Sequence, residues 1–151
     1  MNHVVTAITV PATPLLVVRR RAVASELSRV IPEACGLVWN AVRRLGITSA
    51  GRHVALYTAC TAGRFDLEIG VEVGADGVAD GELVLSATPA GTVATVTHMG
   101  SYAGLRGAHD AVQEWCRAHG RRPNGGPSWE VYGHMTDDPA EIRTDIFYLL
   151  A

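Results

Sequence analysis

The sequence predicts an α+β fold made of two β-α-β-β repeats around an antiparallel sheet, with pseudo-two-fold symmetry and halves at about residues 1–80 and 81–151. Three observations support this prediction. Two stretches have helical periodicity, seven short runs are rich in strand-forming residues, and a pair of glycines with the same spacing occurs in each half. A chain of 151 residues has the length of one domain with its own core, so we expect residues 1–151 to form a single domain.

Two helices are predicted from apolar residues that recur at steps of three and four. The first covers residues 33–45, with Pro32 in its first turn and Gly46 at its end. The second begins near Ser101, a residue type that often caps helices, and ends at Gly120. These are the two main helices of the expected fold.

Strands are predicted from runs separated by Gly, Pro, Asp or Asn, and their order around the helices is β-α-β-β, twice. The stretch GITSAGRHVALY also resembles GRRPNGGPSWEVY, which makes Tyr57 and Tyr132 equivalent positions of an internal repeat. The runs are PLLVVRRRA, RHVALYTAC, RFDLEIGVEV, GELVLSATP, TVATVTHM, SWEVYGHM and TDIFYLL.

Composition and charge exclude several classes of function. The chain is 48% hydrophobic and 19% charged, which is ordinary for a globular protein, and its net charge of -2 provides no basic surface for phosphates. Its arginine groups are short and scattered, so we expect no direct nucleic-acid binding. The N-terminal stretch lacks a basic region and is interrupted by Pro11 and Pro14, so we expect a cytoplasmic protein with no membrane segment.

No cofactor or metal site is expected. The three cysteines are an odd number without C-x-x-C spacing. Three of the histidines, His98, His109 and His134, lack the spacing of metal ligands.

The segment GPSWEVYGHM reads as one strand that contains a charged residue, Glu130, between Trp129 and Val131. Alternation alone leaves two interpretations open: a solvated residue on an outer face, or a carboxylate in the seam between the two repeats, near Tyr57 and Tyr132. Strand geometry points Trp129, Val131 and Met135 to one face and Ser128, Glu130, Tyr132 and His134 to the other.

Three segments resemble the GyrI-like small-molecule-binding domains, which also occur as effector domains of multidrug-sensing transcription regulators. The segments are HMGSYAGLRGAHDAVQEWCRAHG, GPSWEVYG and RTDIFYLL, and the β-α-β-β plan of the first half extends the resemblance over nearly the whole chain. The resemblance implies a groove between the halves, lined by aromatic residues, with an acidic residue at its base that attracts lipophilic cations. Glu130 matches that acidic position. The last strand departs from the family pattern by ending YLLA without the usual proline.

Further groove residues are expected among the aromatic side chains. Tyr57 and Tyr132 lie at the seam, Tyr102 opens the second helix, and Phe147 occupies the aromatic position of the family pattern on the last strand. Trp39 lies beside the apolar stripe of the first helix, where ordinary packing and ligand contact are equally compatible with the sequence.

Three functions follow from the residues and the resemblance. The first is a stand-alone protein, monomer or homodimer, that captures aromatic compounds that are cationic or amphipathic, for sensing or sequestration. No helix-turn-helix precedes the first strand, so we expect any role in transcription to need a separate partner. The second is hydrolysis of strained cyclopropane rings in DNA-alkylating natural products, with Glu130 as general base and Tyr132 or Tyr57 as hydrogen-bond donor. The third is a protein-interaction role such as topoisomerase inhibition, to which no residue of this sequence points.

Overall fold

A computed structural model describes residues 3–133 and 136–151. It confirms the α+β class, with two main helices and one antiparallel sheet of eight strands in the order β1-β6-β8-β7-β3-β4-β2-β5. The elements are β1 (Thr6–Val10), β2 (Pro14–Val23), α1 (Leu27–Leu45), β3 (His53–Thr61), β4 (Arg64–Glu72), β5 (Val84–Ala87), β6 (Gly91–Met99), α2 (Leu105–Ala118), β7 (Pro123–Tyr132) and β8 (Arg143–Leu150).

The strand order confirms the pseudo-two-fold symmetry. Strands β3, β4 and β2 of the first half match β7, β8 and β6 of the second, and the two triplets meet where β3 pairs with β7. At the centre of that pairing Ala55 lies opposite Glu130. Tyr57 lies opposite Ser128, and Tyr132 opposite His53, so a two-fold axis through the central pair exchanges the two tyrosine positions.

The outer strands are exchanged between the halves, and this exchange curls the sheet. Strand β1 precedes β2 in the chain but pairs with β6. As a result, β1 and β2 lie six strand positions apart in the sheet. In a flat sheet this separation would be about 29 Å. The linker from Val10 to Pro14 extends only about 14 Å, so the sheet must curl until its two edges approach each other. Two hydrogen bonds of 2.9 Å join Thr13 to Thr88, where this linker meets the equivalent one between β5 and β6.

The curled sheet encloses an apolar core on its inner face. Trp129 and Val131 of β7 lie in this core, as their alternation predicts. They pack with buried residues of β2, β3 and β6, namely Leu15, Val17, Val54, Leu56 and Val93.

Each helix covers the outer face of one half. Helix α1 packs on β2 and β4, whereas α2 packs on β6 and β8. Consequently the central strands β3 and β7 lie between the helices rather than under either. The buried helix positions follow the repeat: Ala34, Val38 and Val42 in α1 correspond to Ala108, Val112 and Cys116 in α2. Within the residues the structure describes, neither helix is long and apolar enough to cross a membrane.

Several element boundaries differ from the sequence prediction. Helix α1 begins at Leu27 rather than at residue 33, because Leu27 and Val30 continue its apolar stripe toward the N-terminus. Pro32 therefore lies inside the helix, where it removes one backbone hydrogen bond near the start.

The start of the second helix and the first strand also differ from expectation. Ser101 makes no side-chain cap bond; a 3-10 turn at Tyr102–Gly104 leads into α2 instead. Strand β1 was not among the predicted runs because four of its five residues are exposed, so it shows no buried alternation.

A pair of glycine substitutions tests how closely β2 and β4 approach. A Cβ on Gly70 would lie 1.9 Å from the Leu16 carbonyl oxygen, and that oxygen belongs to the backbone of the sheet. We expect Gly70→Ala to lower the free energy of unfolding by about 3 kcal/mol or more.

Gly36→Ala is the matched control, since nothing lies within 4 Å of a Cβ at Gly36 inside α1. Alanine there should raise stability by about 0.5–1 kcal/mol. Urea unfolding of both variants measures the difference. Equal midpoints for Gly70→Ala and the wild type would contradict the close approach.

Candidate functional site

Glu130 lies at the centre of the molecule, in the middle of β7 and on the pseudo-two-fold axis. Only 4% of the residue is exposed, which rules out the interpretation of Glu130 as a solvated residue. It faces the helix side of the sheet, between α1 and α2. A carboxylate in such a place needs hydrogen bonds or opposite charge to remain ionised.

Four side chains surround Glu130 in a hydrogen-bonded set that we call the Glu130 network. The Tyr132 hydroxyl donates to Glu130 Oε1 at 2.6 Å, and the Tyr57 hydroxyl lies 3.4 Å from the same oxygen. His109 Nε2 is 2.6 Å from Oε2. His109 Nδ1 is in turn 2.6 Å from the Tyr148 hydroxyl. The network comprises Glu130, His109, Tyr57, Tyr132 and Tyr148.

The sheet register brings these side chains together. Residues that pair directly across antiparallel strands point to the same face. Glu130 pairs with Ile146, and Ser128 pairs with Tyr148, so Tyr148 shares the face of Glu130. His109 reaches the same point from α2, which lies over β6 and β8.

Two neutral phenols of the network lie against the carboxylate of Glu130. Burial, and next the charge of Glu130, raise the pKa values of Tyr57 and Tyr132 above the ordinary value, so both phenols keep their protons. Burial also raises the pKa of Tyr148. His109 lies between two hydrogen-bond partners, with Nε2 at the Glu130 carboxylate and Nδ1 at the Tyr148 hydroxyl. The two phenols that contact Glu130 stabilise its negative charge by hydrogen bonding and add no positive charge.

The site is asymmetric although the backbone is nearly symmetric. The repeat places Ala55 at the position equivalent to Glu130, and Cys35 at the position equivalent to His109. Burial raises the pKa of the Cys35 thiol to about 11, so this side chain also stays neutral. The second half therefore carries the charge, and the equivalent positions of the first half are uncharged.

Two exposed aromatic residues lie near the network at the surface. Tyr102, which is 55% exposed, packs edge-on against Tyr132 with ring centroids 5.9 Å apart. Trp39, which is 39% exposed, lies on α1 with its ring 5.9 Å from that of His53. His53 is the direct neighbour of Tyr132 across β3 and β7. Both aromatic residues therefore lie at the surface beside the paired residues His53 and Tyr132.

The structure does not bring Phe147 to this site. Phe147 pairs with Trp129 across β7 and β8, and the two rings stack at 5.3 Å on the opposite, inner face of the sheet. The expectation that Phe147 lines the groove is corrected by this register, which gives Tyr148 that place instead. His134 and Met135, whose directions the sequence also predicted, lie outside the described residues.

Sequence reasoning missed His109 and Tyr148. The sequence contained a signal for His109. Ala34 and Val38 of the first repeat correspond to Ala108 and Val112 of the second, so His109 lies beside the buried stripe of α2. A titratable residue next to such a stripe faces the groove or the core. Only the register between β7 and β8 decides whether Tyr148 or Phe147 shares the face of Glu130, and the sequence alone does not give that register.

Comparison with known families places the chain among domains described as binding small molecules. Residues 3–150 match the model of the GyrI-like small molecule binding domain. The chain belongs to this family. No curated protein matches the sequence.

Solved structures with the same fold include a C-terminal domain, a protein with a bound organic cation and a hydrolase. The C-terminal domain of EcmrR superposes with a TM-score of 0.79 at 22% identity, covering 100% of this chain and 99% of that one. SAV2435, solved with bound tetraphenylphosphonium, has a TM-score of 0.73 at 11% identity over 100% and 94% of the two chains. A hydrolase from Listeria innocua has a TM-score of 0.66 at 10% identity over 97% and 91%. These similarities show a shared fold.

The raised tyrosine pKa values predict alkaline behaviour. Below about pH 10, the tyrosines of the network are protonated in both the folded and unfolded chains, so their contribution to stability is fully present. Above about pH 10 the unfolded chain releases protons before the folded one, and the free energy of unfolding falls. Because the charge of Glu130 contributes to the raised values, we expect Glu130→Gln to shift tyrosine ionisation in the folded protein to lower pH.

Absorbance at about 295 nm, followed with unfolding curves from about pH 8 up to the pH at which the folded chain unfolds, measures both effects. Glu114→Gln on the exposed side of α2 is the control and should leave the titration unchanged. Identical titrations for Glu130→Gln and the wild type would show that the phenols do not sense the Glu130 charge.

Proposed function

We propose that this protein binds lipophilic aromatic cations in the groove between its two halves, with Glu130 as the charged partner of the ligand. The observation that carries this proposal is the buried carboxylate of Glu130, held by two tyrosine hydroxyls and His109 rather than by an arginine or lysine. Within the described residues, no arginine or lysine pairs with this carboxylate, and His109 is its one basic partner. A neutral His109 leaves the charge of Glu130 to be compensated by a ligand.

Burial strengthens the attraction for an organic cation. A lipophilic cation loses little hydration on entering an apolar groove and gains a carboxylate at low local dielectric. A small, strongly hydrated cation would lose much more hydration there. The site therefore selects cations whose charge is surrounded by apolar groups.

The aromatic side chains add both affinity and breadth. Tyr57, Tyr132, Tyr102 and Trp39 offer ring faces or edges around the groove. A cation within about 6 Å of an aromatic ring gains about 0.5–2 kcal/mol, depending on how far it is desolvated. Stacking and apolar contacts need no fixed pattern of hydrogen bonds, so several different cations can use the same groove.

Entry of the ligand requires the rim to open. Glu130 is almost fully covered, whereas Tyr102 and Trp39 are the exposed aromatic residues beside it. Rotation of Tyr102 away from its edge-on contact would uncover the ring of Tyr132. The family's description as a small molecule binding domain and the tetraphenylphosphonium bound to SAV2435 both support this use of the groove.

Calorimetric titration with tetraphenylphosphonium tests the proposal. Wild type should bind this cation, and Glu130→Gln should bind it at least about 30-fold more weakly, because the ligand charge then has no partner in the groove. The control Glu114→Gln removes an exposed carboxylate that pairs with Arg117 and should bind like the wild type. Equal affinity of wild type and Glu130→Gln would refute the role of Glu130.

Hydrolysis of cyclopropane-bearing alkylating natural products is the second candidate, and the 2.6 Å contact between Glu130 and His109 favours it. Two adjacent groups that can hold a proton suit general acid–base catalysis. Glu130 would take a proton from water as the water oxygen bonds to a ring carbon. The carbon–carbon bond of the strained ring would break, and its electron pair would move to the conjugated carbonyl oxygen, which Tyr132 or Tyr57 stabilises by donating a hydrogen bond. The hydrolase from Listeria innocua has the same fold.

Chromatographic detection of the ring-opened product distinguishes catalysis from capture. A catalytic protein should produce many equivalents of product per chain, and Glu130→Gln should reduce the rate by about 100-fold or more. Glu114→Gln should keep the wild-type rate. Product formation at the rate of buffer alone would refute the hydrolase candidate and leave the binding proposal intact.

A further inference from the structure

A second polar feature lies beside the Glu130 network on the same face of the sheet. Four side chains follow one another across four neighbouring strands, in the order β6, β8, β7 and β3, because each pairs directly with the next. We call this set the polar row. It consists of His98, Thr144, Tyr132 and His53.

Two members of the polar row hold buried polar atoms that lack a hydrogen-bond partner. These are Thr144 Oγ1 and His53 Nδ1, and they are the unpartnered buried side-chain atoms found in residues 3–133 and 136–151. Thr144 has 0% exposure. Buried polar side-chain atoms are paired in the large majority of cases, so two in one row require an explanation.

The side-chain polar atoms of the other two members of the polar row have hydrogen-bond partners. His98 contacts His3 through Nδ1 at 3.1 Å and the Ser101 carbonyl through Nε2 at 2.9 Å. Tyr132 donates to Glu130. The unpartnered atoms therefore lie on the two sides of Tyr132, on β8 and β3.

The chemical state of each atom defines what could bind it. Burial lowers the pKa of His53 and so favours the neutral ring, in which one nitrogen carries a proton and the other accepts a hydrogen bond. In the tautomer with its proton on Nε2, the buried Nδ1 is an acceptor with a free lone pair. The Thr144 hydroxyl can accept or donate. A ligand N–H or O–H group suits both atoms.

The aromatic rings beside His53 and Tyr132 suit an aromatic ligand. The Trp39 ring lies 5.9 Å from that of His53, and the Tyr102 ring lies 5.9 Å from that of Tyr132. With neighbouring strands about 4.8 Å apart, His53 and Thr144 are separated by about 10 Å. This distance matches an extended, fused aromatic system better than a compact one.

We propose that His53 and Thr144 form a polar subsite of the groove, which binds N–H or O–H groups of an aromatic cation whose charge faces Glu130. This inference rests on the proposed function and narrows its ligand class to flat aromatic cations with hydrogen-bond donors at their ends. A donor placed on either atom would satisfy a group that is buried and unpaired in the free protein, which adds to affinity.

Proflavine and acridine orange provide matched probes. Both are flat three-ring cations, but proflavine has primary amino groups at its two ends, whereas in acridine orange these groups are dimethylated and donate no hydrogen bond. Fluorescence titration gives the ratio of their dissociation constants for the wild type, Thr144→Val, His53→Phe and the control Thr92→Val, which alters an exposed strand residue of β6. Because the same two dyes are used with each variant, their difference in lipophilicity contributes equally to every ratio and cancels in the comparison.

The subsite predicts that the preference for proflavine falls by about tenfold in Thr144→Val or in His53→Phe, while the affinity for acridine orange changes little. Thr92→Val should keep the wild-type ratio. Thr144→Val should also be at least as stable as the wild type without ligand, since it removes an unpaired buried hydroxyl. This combination of equal or higher stability and lost preference separates a binding role from a structural one.

Two results would overturn the inference in distinguishable ways. If Glu130→Gln weakens both dyes but neither subsite variant changes their ratio, the cation site stands and the subsite is refuted. If neither dye nor tetraphenylphosphonium binds the wild type, the proposed function fails and the subsite fails with it.

Discussion

The pairing of β3 with β7 is the constraint on which the rest of the structure depends. It joins the two repeats into one sheet and places Ala55 opposite Glu130 on the pseudo-two-fold axis. Because the helices cover the outer strand pairs of each half, this central pairing remains as the floor between them. The exchanged outer strands curl the sheet around its inner core, and this core packs against the inner face of β3 and β7. The proposed groove therefore lies at the seam where the two repeats meet, over strands on which neither helix packs directly.

The buried polar site arises where the two repeats differ. If Ala55 were also a glutamate, two carboxylates would lie directly opposite each other, about 5 Å apart at Cβ, and one would have to take up a proton. The alanine avoids this repulsion and leaves a single charge on the axis. The same break in symmetry puts His109 where the first repeat has Cys35, so the second half supplies the polar partner of the charge. The tyrosines are retained in both halves, which allows each to donate toward Glu130 from its own side.

The sequence was sufficient for the features that depend on local pattern. Periodicity located both helices, and the internal repeat predicted the equivalence of Tyr57 and Tyr132 that the strand register confirms. It was insufficient for features set by pairing between distant strands. Phe147 and Tyr148 are adjacent in the chain, and only the register of β8 on β7 decides which of them shares the face of Glu130. His109 was overlooked because a histidine beside an apolar stripe has no motif, and its partner is 21 residues away in sequence.

The central claim is that Glu130 attracts an organic cation into the groove over β3 and β7. The crystal structure of the protein with tetraphenylphosphonium tests this most directly. The claim predicts the phosphorus within about 6 Å of a tyrosine ring of the Glu130 network, facing the Glu130 carboxylate, with Tyr102 turned away from Tyr132. A cation bound elsewhere on the surface, with the contacts of Glu130 to His109 and Tyr132 unchanged and Tyr102 still packed against Tyr132, would contradict it.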